Sequence, residues 1–503
     1  MSLKLRPEVE YILTTLHQAG YEVFLVGGAV RDLLLDKDFK DYDFTTNARP
    51  EQIKELFPES YYENEFGTVS ITHPELLKQM GVDEEAVGLA RVDAKSDATL
   101  IDLAQASKIH HSLQVPEELK TATNSIAVDH ENAYQYFPDF EITTYRSQEI
   151  YEDFRHPDPT QLEWGESIEE DLARRDFTIN ALALNLQGEI IDPYQGQADL
   201  EAKLIKTVGE PDERFKEDAL RMLRAIRFSV QLGFVIDPAV LQSIKAHSHL
   251  VAKISSERIR DEFFKILSSS QPKAGLQLLD ETGLLSEFLP ELAATKGVEQ
   301  GGHHTTDVWT HSLDALANCP SSDPIVKLAT LLHDIGKPAT YQLRNGEITF
   351  YNHEIVGSRI ADRIGQRLHL SKRELRRLFI LVRHHMFYYQ PENSDAAIRR
   401  FMTRVGLENI DDILALREGD RLGSGVRKTS WRLEEMKERI VGQLNQPMAV
   451  TDLAISGHDL MAQFDLKPGP WIGAVLDKLL EEVLDNPELN TKEQLLKLAQ
   501  ELV

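Results

Sequence analysis

Cysteine is almost absent from this chain of 503 residues, in which Cys319 is the only one. A single thiol excludes an intramolecular disulfide framework and is typical of a reducing compartment, which predicts a cytoplasmic location. Apolar runs of about 18 residues are also missing, and residues 1–8 lack the apolar segment of a signal peptide. We therefore expect neither a membrane span nor a secretory leader.

Basic residues are in the minority, with 55 Lys and Arg against 82 Asp and Glu, and the formal net charge is −27. This balance excludes a protein that coats nucleic acid through a generally positive surface. It is compatible with brief binding of RNA if basic residues line one groove, because binding depends on local potential. The chain is too long for one hydrophobic core, so we expect three or four domains.

A glycine pair interrupts the apolar pattern near the start of the chain. Residues 23–26 are β-formers that predict a buried strand. Gly27 and Gly28 follow as a turn, and residues 29–35 have helix-forming composition. A strand, a glycine turn and a helix start direct backbone N–H groups to one place, which suits a phosphate. Arg31 can add a charge-assisted contact to the same anion.

Two acidic residues follow this turn. Asp41 and Asp43 are two positions apart, and on a strand such residues point to the same face, so their carboxylates converge. Like charges this close are unfavourable unless a cation lies between them, and Mg²⁺ binds one or two carboxylates together with substrate phosphates. A tight turn with solvated acids is the alternative interpretation.

A double-glycine turn followed by Asp-x-Asp resembles the nucleotidyltransferase head of the polymerase-β superfamily. More narrowly, it resembles the family of class II tRNA nucleotidyltransferases (CCA-adding enzymes) and bacterial poly(A) polymerases. That family's first motif, Gly-Gly-x-Val-Arg-Asp followed by Asp-x-Asp, is complete here. The resemblance implies that Asp41 and Asp43 are catalytic and bind Mg²⁺. It also implies that Gly28 and Arg31 hold the triphosphate of a nucleotide.

Arg174, Arg175 and Asp176 begin a second motif of the same family. Arginine presents a rigid fork of donors to phosphate oxygens, so the pair suits triphosphate binding. From spacing alone, a surface ion pair is the alternative. The resemblance implies that Arg175 binds the nucleotide.

Residues 217–228 carry ionic side chains at every third position. On a helix, these would form a polar stripe beside an apolar face; they are Asp218, Arg221, Arg224 and Arg227. An Asp and an Arg one turn apart can pair and offer donors and acceptors to a base edge, whereas the alternative is a salt-bridged surface helix. The intact family motif Glu-Asp-x-x-Arg-x-x-Arg-Ala implies that Asp218 and Arg221 select the nucleotide. Arg224 and Arg227 would lie near it.

From about residue 271 onward the pattern is helical throughout, and a second chemistry occurs there. His311 is followed 22 residues later by His333 and Asp334, with Asp420 further along the chain. Imidazole and carboxylate groups on separate helices can converge on one divalent metal. The order His…His-Asp…Asp resembles the HD phosphohydrolase superfamily. The resemblance implies a site for a divalent transition metal or Mg²⁺ at these four residues.

Further histidines occur in the same region. His353, His384 and His385 lie where HD proteins with two metals supply additional ligands. His303 and His304 are expected to be ordinary surface or core residues.

Together the resemblances imply an α+β fold, in which a polymerase-β-like head with a mixed sheet and helices precedes an all-α neck, an HD domain and a tail. The expected bounds are 1–190 for the head, with an acidic insertion at about 74–137, 191–270 for the neck, 271–445 for the HD domain and 446–503 for the tail.

The implied reaction is the template-independent, Mg²⁺-dependent addition of CCA to the 3′ end of tRNA from CTP and ATP, with release of pyrophosphate. Glu141 is a candidate third carboxylate, and the HD domain is expected to act as a phosphohydrolase. Residues 151–164 lie where the family has a loop needed for the final adenosine, which favours CCA or A addition. One alternative is a poly(A) polymerase or A-adding enzyme, and another is an HD phosphohydrolase with an RNA-binding head. No membrane partner is expected, and the oligomeric state is left open.

Overall fold

The computed structural model describes two compact units, of which the first ends at Ala294 and the second begins at Thr295. None of the helices it describes has the length and apolar character needed to cross a bilayer. The described residues are 5–37, 42–62, 67–81, 140–148, 163–301, 306–425, 430–465 and 467–502. The predicted features outside these ranges are Asp41, His303, His304, most of the insertion and most of residues 151–164.

A seven-stranded mixed sheet forms the centre of the first unit, and its strands are ordered β3-β4-β5-β2-β1-β8-β9. In this sheet β2 and β5 are parallel and all other neighbours are antiparallel. The strands are β1 Val23–Val26, β2 Tyr42–Thr46, β3 Tyr61–Tyr62, β4 Thr68–Ile71, β5 Phe140–Thr144, β6 Arg146–Gln148, β7 Glu163–Trp164, β8 Ala183–Leu184, β9 Ile190–Ile191, β10 Leu204–Ile205 and β11 Val235–Ile236. Strands β6 with β7 and β10 with β11 form separate pairs. The apolar run of β1 is fully buried because neighbours flank it on both sides.

Helices pack beside this sheet, and after β11 the described elements of the unit are helices only. In the first of them, Val9, Ile12, Leu13 and Leu16 are buried, so the helix is amphipathic and its apolar side faces the core. The helices are α1 Pro7–Gln18, α2 Gly28–Leu34, α3 Pro50–Leu56, α4 His73–Gln79, α5 Ile168–Ala173, α6 Gly196–Glu201, α7 Pro211–Glu217, α8 Leu220–Leu232, α9 Pro238–His247, α10 Ser256–Leu267, α11 Pro272–Glu281, α12 Leu284–Phe288 and α13 Pro290–Ala293.

The helix predicted over residues 217–228 is interrupted at its second residue. α7 ends at Glu217 and α8 begins at Leu220, so Asp218 lies between two helices with extended backbone. Its Oδ1 accepts the N–H of Leu220 at 3.0 Å. This local bond offers the backbone an alternative to helix, which is why short acidic side chains favour helix ends. Asp218 is therefore outside the predicted stripe, whereas the three arginines that follow lie on α8 as predicted.

Among the described residues of the second unit, the regular elements are helices apart from one hairpin. Its elements are α14 Val308–Asn318, α15 Pro324–Leu332, α16 Lys337–Thr340, β12 Gln342–Arg344, β13 Glu347–Thr349, α17 His353–Arg367, α18 Lys372–His384, α19 Asp395–Val405, α20 Ile410–Gly423, α21 Trp431–Gln443, α22 Gly457–Phe464, α23 Trp471–Asp485 and α24 Lys492–Gln500. The expectation of helix throughout was wrong at β12 and β13. Asn345 and Gly346 join these strands with φ of 52° and 84°, the backbone that an Asn-Gly hairpin turn requires.

Candidate functional site

The glycine turn after β1 seats an arginine from another part of the first unit. Gly27 has a φ of 69°, a value that L-residues with side chains rarely adopt. A Cβ atom at Gly27 would lie 2.7 Å from the Nη1 atom of Arg175. Only glycine at this position satisfies the backbone and leaves room for the guanidinium group.

Arg31 of α2 is buried beside this turn. It donates to Asn180 Oδ1 at 2.8 Å and to both carboxylate oxygens of Asp32 at 2.8 Å. These bonds fix the guanidinium group in one orientation. The first and second predicted motifs are thereby joined through Asn180, which belongs to the second motif.

The acidic part of the site lies on β2 and β5. Asp43 of β2 is directly opposite Glu141 of β5 in the parallel register. Side chains at matched positions of neighbouring strands stand on the same face of the sheet, so the two carboxylates are side by side. Asp43 also borders the cavity described below. The predicted third carboxylate is thus a neighbour of Asp43.

A fully buried carboxylate holds the arginine pair of the second motif. Asp171 lies on α5, and its Oδ1 accepts from Arg174 at 2.7 Å while its Oδ2 accepts from Arg175 at 3.1 Å. Burial would raise the pKa of the Asp171 carboxyl, but the two guanidinium groups outweigh burial and hold it below its ordinary value. The carboxylate therefore stays ionised and orients both arginines.

Asp176 links the second motif to α8. Its Oδ2 accepts from Arg224 Nε at 2.7 Å, and its Oδ1 accepts from Asn180 Nδ2 at 3.1 Å. Burial raises the pKa of Asp176, but Arg224 and Asn180 together bring it down to about 2. The pair is a permanent ionic contact at neutral pH.

The predicted base-reading residues have partners other than each other. Asp218 Oδ2 accepts from Arg258 of α10 at 2.7 Å. Arg221 donates to Glu217 Oε2 at 2.6 Å and to the carbonyl oxygen of Arg174 at 3.0 Å. The expected Asp–Arg pair is replaced by two pairs, because Arg258 comes into reach when α10 packs on α8.

Most of these groups border one cavity of about 710 Å³. Eight basic and four acidic side chains line it, so the cavity is locally basic in an acidic chain. The predicted residues that it brings together are Gly28, Arg31, Asp43, Arg175, Asp218, Arg221, Arg224 and Arg227. The other lining residues are Gly27, Ala29, Asp32, Arg174, Asp176, Asn180, Leu220, Phe228, Gln231, Arg258 and Lys265.

Several of these lining residues were not predicted as part of the site. Asp176 and Asn180 belong to the second motif. Phe228 directly follows Arg227, the last arginine of the motif at residues 217–228, so the motifs could have suggested all three. Gln231 belongs to no motif and carries no such signal in the sequence.

Six buried or nearly buried ligand groups converge in the second unit as two sets of three. The first set has His311 and His333 Nε2 atoms 3.1 Å apart, with Asp420 Oδ1 3.2 Å from His311. The second set has His353 and His385 Nε2 atoms 3.3 Å apart, with Asp334 Oδ1 3.3 Å from His353.

Asp334 connects the two sets. Its Oδ1 faces the second set, and its Oδ2 lies 3.2 Å from His333 Nε2 and 3.5 Å from His311 Nε2. Lys337 Nζ donates to the same Oδ2 at 2.6 Å and to Gln300 Oε1 at 2.6 Å. A carboxylate with one oxygen toward each set can bridge two metal ions.

The orientation of the imidazoles suits metal binding. Nδ1 of His333, His353 and His385 donates to the backbone carbonyls of Thr330, Phe350 and Val382 at 2.7–2.9 Å. A neutral imidazole held in this way turns an unprotonated Nε2 toward the cluster, which is the usual arrangement of metal-binding histidine.

One predicted histidine does not join the cluster. His384 is half-buried and belongs to neither set of ligand groups found among the described residues. On α18 it precedes His385, and consecutive helical residues point about 100° apart. Only His385 can therefore face the other ligands.

Four protein-family models match the chain. Residues 23–82 and 90–206 match the poly A polymerase head domain, and residues 233–296 match the probable RNA and SrmB-binding site of polymerase A. Residues 302–419 match the HD domain, and residues 382–499 match tRNA nucleotidyltransferase domain 2.

Known proteins are similar over different shares of the chain. A CCA-adding enzyme of Ligilactobacillus salivarius is 30% identical over 504 aligned residues, which cover 98% of this chain and 95% of that protein. An A-adding tRNA nucleotidyltransferase of Deinococcus radiodurans is 35% identical over 63% of this chain and 75% of that protein. The crystal structure of the Bacillus stearothermophilus CCA-adding enzyme in complex with CTP matches with a TM-score of 0.67 and 25% identity, covering 99% of this chain and 98% of that one.

Proposed function

Since the chain belongs to the family of CCA-adding enzymes, we propose that it adds CCA to the 3′ end of tRNA from CTP and ATP, without a template and with release of pyrophosphate. The observation that carries this proposal is the convergence of the Asp-x-Asp strand and both nucleotide-binding motifs on one basic cavity. The CTP in the structure of the Bacillus stearothermophilus relative supports the same class of substrate.

We assign binding of the nucleotide's triphosphate to the arginines beside the glycine turn. In the proposed reaction the terminal 3′-hydroxyl of tRNA attacks the α-phosphate, and the bond to the β-phosphate breaks to release pyrophosphate. Arg31 and Arg175 bind the triphosphate through charge-assisted hydrogen bonds, and Gly28 allows its close approach. Asp171 keeps Arg175 in place through the buried ion pair.

We assign binding of the metal at this site to carboxylate oxygens. Asp43 and Glu141 present carboxylates on one face of the sheet, a donor set that fits Mg²⁺, and Asp41 would complete it. When bound, Mg²⁺ assists deprotonation of the attacking hydroxyl and neutralises charge on the leaving pyrophosphate.

Base selection is assigned to Asp218 and Arg221. Cytosine and adenine share an amino donor next to a ring-nitrogen acceptor, whereas uracil and guanine have a carbonyl and an N–H at those places. A carboxylate that accepts from the amino group and a guanidinium that donates to the ring nitrogen therefore favour CTP and ATP. Arg258 fixes the carboxylate, and the carbonyl of Arg174 fixes the guanidinium.

A nucleotide-incorporation assay tests the proposal. The substrate is tRNA that ends before CCA, incubated with CTP alone, ATP alone or both. We expect two cytidines from CTP alone and a stop after one further adenosine when both are present. Addition of a single adenosine only to tRNA that already ends in CC would instead identify an A-adding enzyme, the function of the Deinococcus radiodurans relative. Unlimited adenosine addition would identify a poly(A) polymerase.

A second activity, metal-dependent phosphohydrolysis, is proposed for the HD domain. The observation that favours it is the pair of ligand sets joined by Asp334. The imidazoles and carboxylates fit two divalent metals, which when bound would polarise a phosphate ester and activate water.

The cytoplasmic location expected from the single cysteine is also part of the proposal.

Two matched substitutions separate the activities. Asp43→Asn removes a ligand of the first site and should lower nucleotide addition at least about a thousandfold, because metal stabilisation of the transition state is worth several kcal/mol. It should leave hydrolysis of 2′,3′-cyclic AMP unchanged. Asp334→Asn should do the reverse. Loss of both activities in either variant would contradict two separate sites.

A further inference from the structure

One aromatic ring in the wall of the nucleotide cavity contacts three arginines. The guanidinium carbon of Arg227 lies 4.1 Å from the ring centroid of Phe228, that of Arg31 at 5.2 Å and that of Arg224 at 5.4 Å. Phe228 is 6% exposed and borders the cavity. Each of these distances is within the range in which a cation is attracted to the face of an aromatic ring.

These three cations are crowded. Because all lie within 5.4 Å of the same centroid, their charges repel one another in a largely buried place. Burial and the nearby charge of Arg224 lower the pKa of Arg227 to about 10, so Arg227 remains protonated at neutral pH but at a cost.

Each arginine has at least one carboxylate partner that offsets part of this cost, and Glu262 lies near Arg224, at 3.9 Å, as well as Arg227. The pairs are Arg31 with Asp32 at 2.8 Å, Arg224 with Asp176 at 2.7 Å and Arg227 with Glu262 at 3.1 Å. These partners come from three separate segments of the chain, whereas the ring of Phe228 is in contact with all three arginines.

We propose that Phe228 is a positioning residue for phosphate binding. Its ring face gathers Arg31, Arg224 and Arg227 into one cationic surface, which binds the triphosphate of the incoming nucleotide. The inference rests on the proposed nucleotidyl transfer and deepens it. The edge contact of Phe228 with Phe177, at 5.7 Å between ring centroids, fixes the plane of the ring.

The test is the affinity for inorganic tripolyphosphate, because this probe has phosphates but no base. Phe228→Leu keeps an apolar side chain but removes the ring, and we expect about tenfold weaker binding by calorimetry. Phe228→Tyr keeps the ring face and should bind within about twofold of the unmodified protein. The Michaelis constant for CTP should rise with the same factor as the tripolyphosphate dissociation constant.

Two controls separate ring electrostatics from packing. Phe263→Leu removes another buried ring of the same unit, which contacts Phe288, and should not change tripolyphosphate affinity. A trifluorinated phenylalanine at position 228 keeps the shape of the ring but weakens its negative face. It should bind tripolyphosphate more weakly than the unmodified protein, even if Phe228→Leu does not fold.

The outcomes are distinct. Unchanged tripolyphosphate affinity in both the leucine and the fluorinated variants would overturn the role of Phe228, and so would an altered preference for CTP over UTP at unchanged tripolyphosphate affinity. If the unmodified protein adds no nucleotide to tRNA, but its tripolyphosphate affinity and those of its variants differ as predicted, the proposed nucleotidyl transfer is wrong. The role of Phe228 in anion binding would still be supported.

Discussion

At the scale of single residues, Gly27 shows how one position can carry two constraints. Its backbone is left-handed, and its missing side chain leaves the space that Arg175 fills. We predict that Gly27→Ala lowers kcat/KM for CTP about 10- to 100-fold, because a charge-assisted hydrogen bond worth about 1.5–3 kcal/mol is lost when Arg175 is displaced. Steady-state kinetics of cytidine addition measures this effect.

Gly209→Ala is the matched control. Gly209 has a φ of 77°, but a Cβ atom there would have nothing within 4 Å. Both substitutions place a side chain on a backbone with positive φ, and only the one at Gly27 also displaces an arginine. An equal loss of kcat/KM in the two variants would show that strain alone explains the result.

The residues that could be predicted are those in short motifs, because spacing within one element fixes their relative positions. Asp43, Arg175 and Arg221 border one cavity as expected. Their ionic partners could not be predicted when they come from elsewhere in the chain. Arg258 reaches Asp218 from 40 positions away, and this pairing depends on how α8 and α10 pack.

At the scale of elements, a buried arginine hydrogen-bonds to the C-terminal end of another helix in the second unit. Arg399 of α19 donates to the carbonyl oxygens of Leu484 and Asp485, at 2.9 and 3.2 Å, where α23 ends. It also donates to the side chain of Gln443. The last carbonyls of a helix have no partner within the helix, so this arginine satisfies two of them, including the buried carbonyl of Leu484.

We predict that Arg399→Ala lowers the free energy of unfolding of the second unit by about 2–4 kcal/mol, because charged hydrogen bonds are lost and the buried carbonyl of Leu484 is left unpaired. Urea unfolding followed by tryptophan fluorescence measures the change. Three of the four tryptophans, Trp309, Trp431 and Trp471, lie in this unit.

The neighbouring arginine provides the comparison. Arg400 pairs with Glu481 and Asp485, but this pair is exposed. Exposed ion pairs contribute about 0–1 kcal/mol, so Arg400→Ala should have little effect. If the two substitutions destabilise the unit equally, the buried carbonyl of Leu484 is not the reason.

The elements that were predicted incorrectly contain residues that favour another local structure. Asp218 separates two helices through its bond to Leu220, and Asn345 with Gly346 forms a hairpin turn. In both places the surrounding pattern led us to predict a helix, although the local residues favour a helix end at Asp218 and a turn at Asn345 and Gly346. The strands and helices of the first motif have no such conflict, and they were predicted correctly.

At the scale of the whole molecule, the net charge of the chain is opposite in sign to the charge of the side chains that line the nucleotide cavity. The chain has a formal charge of −27, whereas eight basic and four acidic side chains line the cavity. The residues that line it span positions 27 to 265, so their grouping arises only from the fold. The sequence could predict that a basic groove was required for RNA, but not its full lining.

The two units of the molecule also differ in the kind of metal ligand that they offer. The candidate ligands among the described residues of the first unit, Asp43 and Glu141, are carboxylates, which suit Mg²⁺. The cluster of the second unit has four imidazoles and two carboxylates, a set that suits transition metals better than Mg²⁺. Removal and return of metals should therefore separate the two proposed activities.

We predict that protein stripped with a chelator regains nucleotide addition with Mg²⁺ alone but regains phosphohydrolysis only with a transition metal such as Mn²⁺ or Ni²⁺. Incorporation into tRNA and hydrolysis of 2′,3′-cyclic AMP, measured on the same samples, give the two profiles. Asp43→Asn is the control, because its hydrolysis profile should match that of the unmodified protein. Full recovery of hydrolysis with Mg²⁺ alone would contradict the assignment, since imidazoles would then not be deciding which metal the cluster uses.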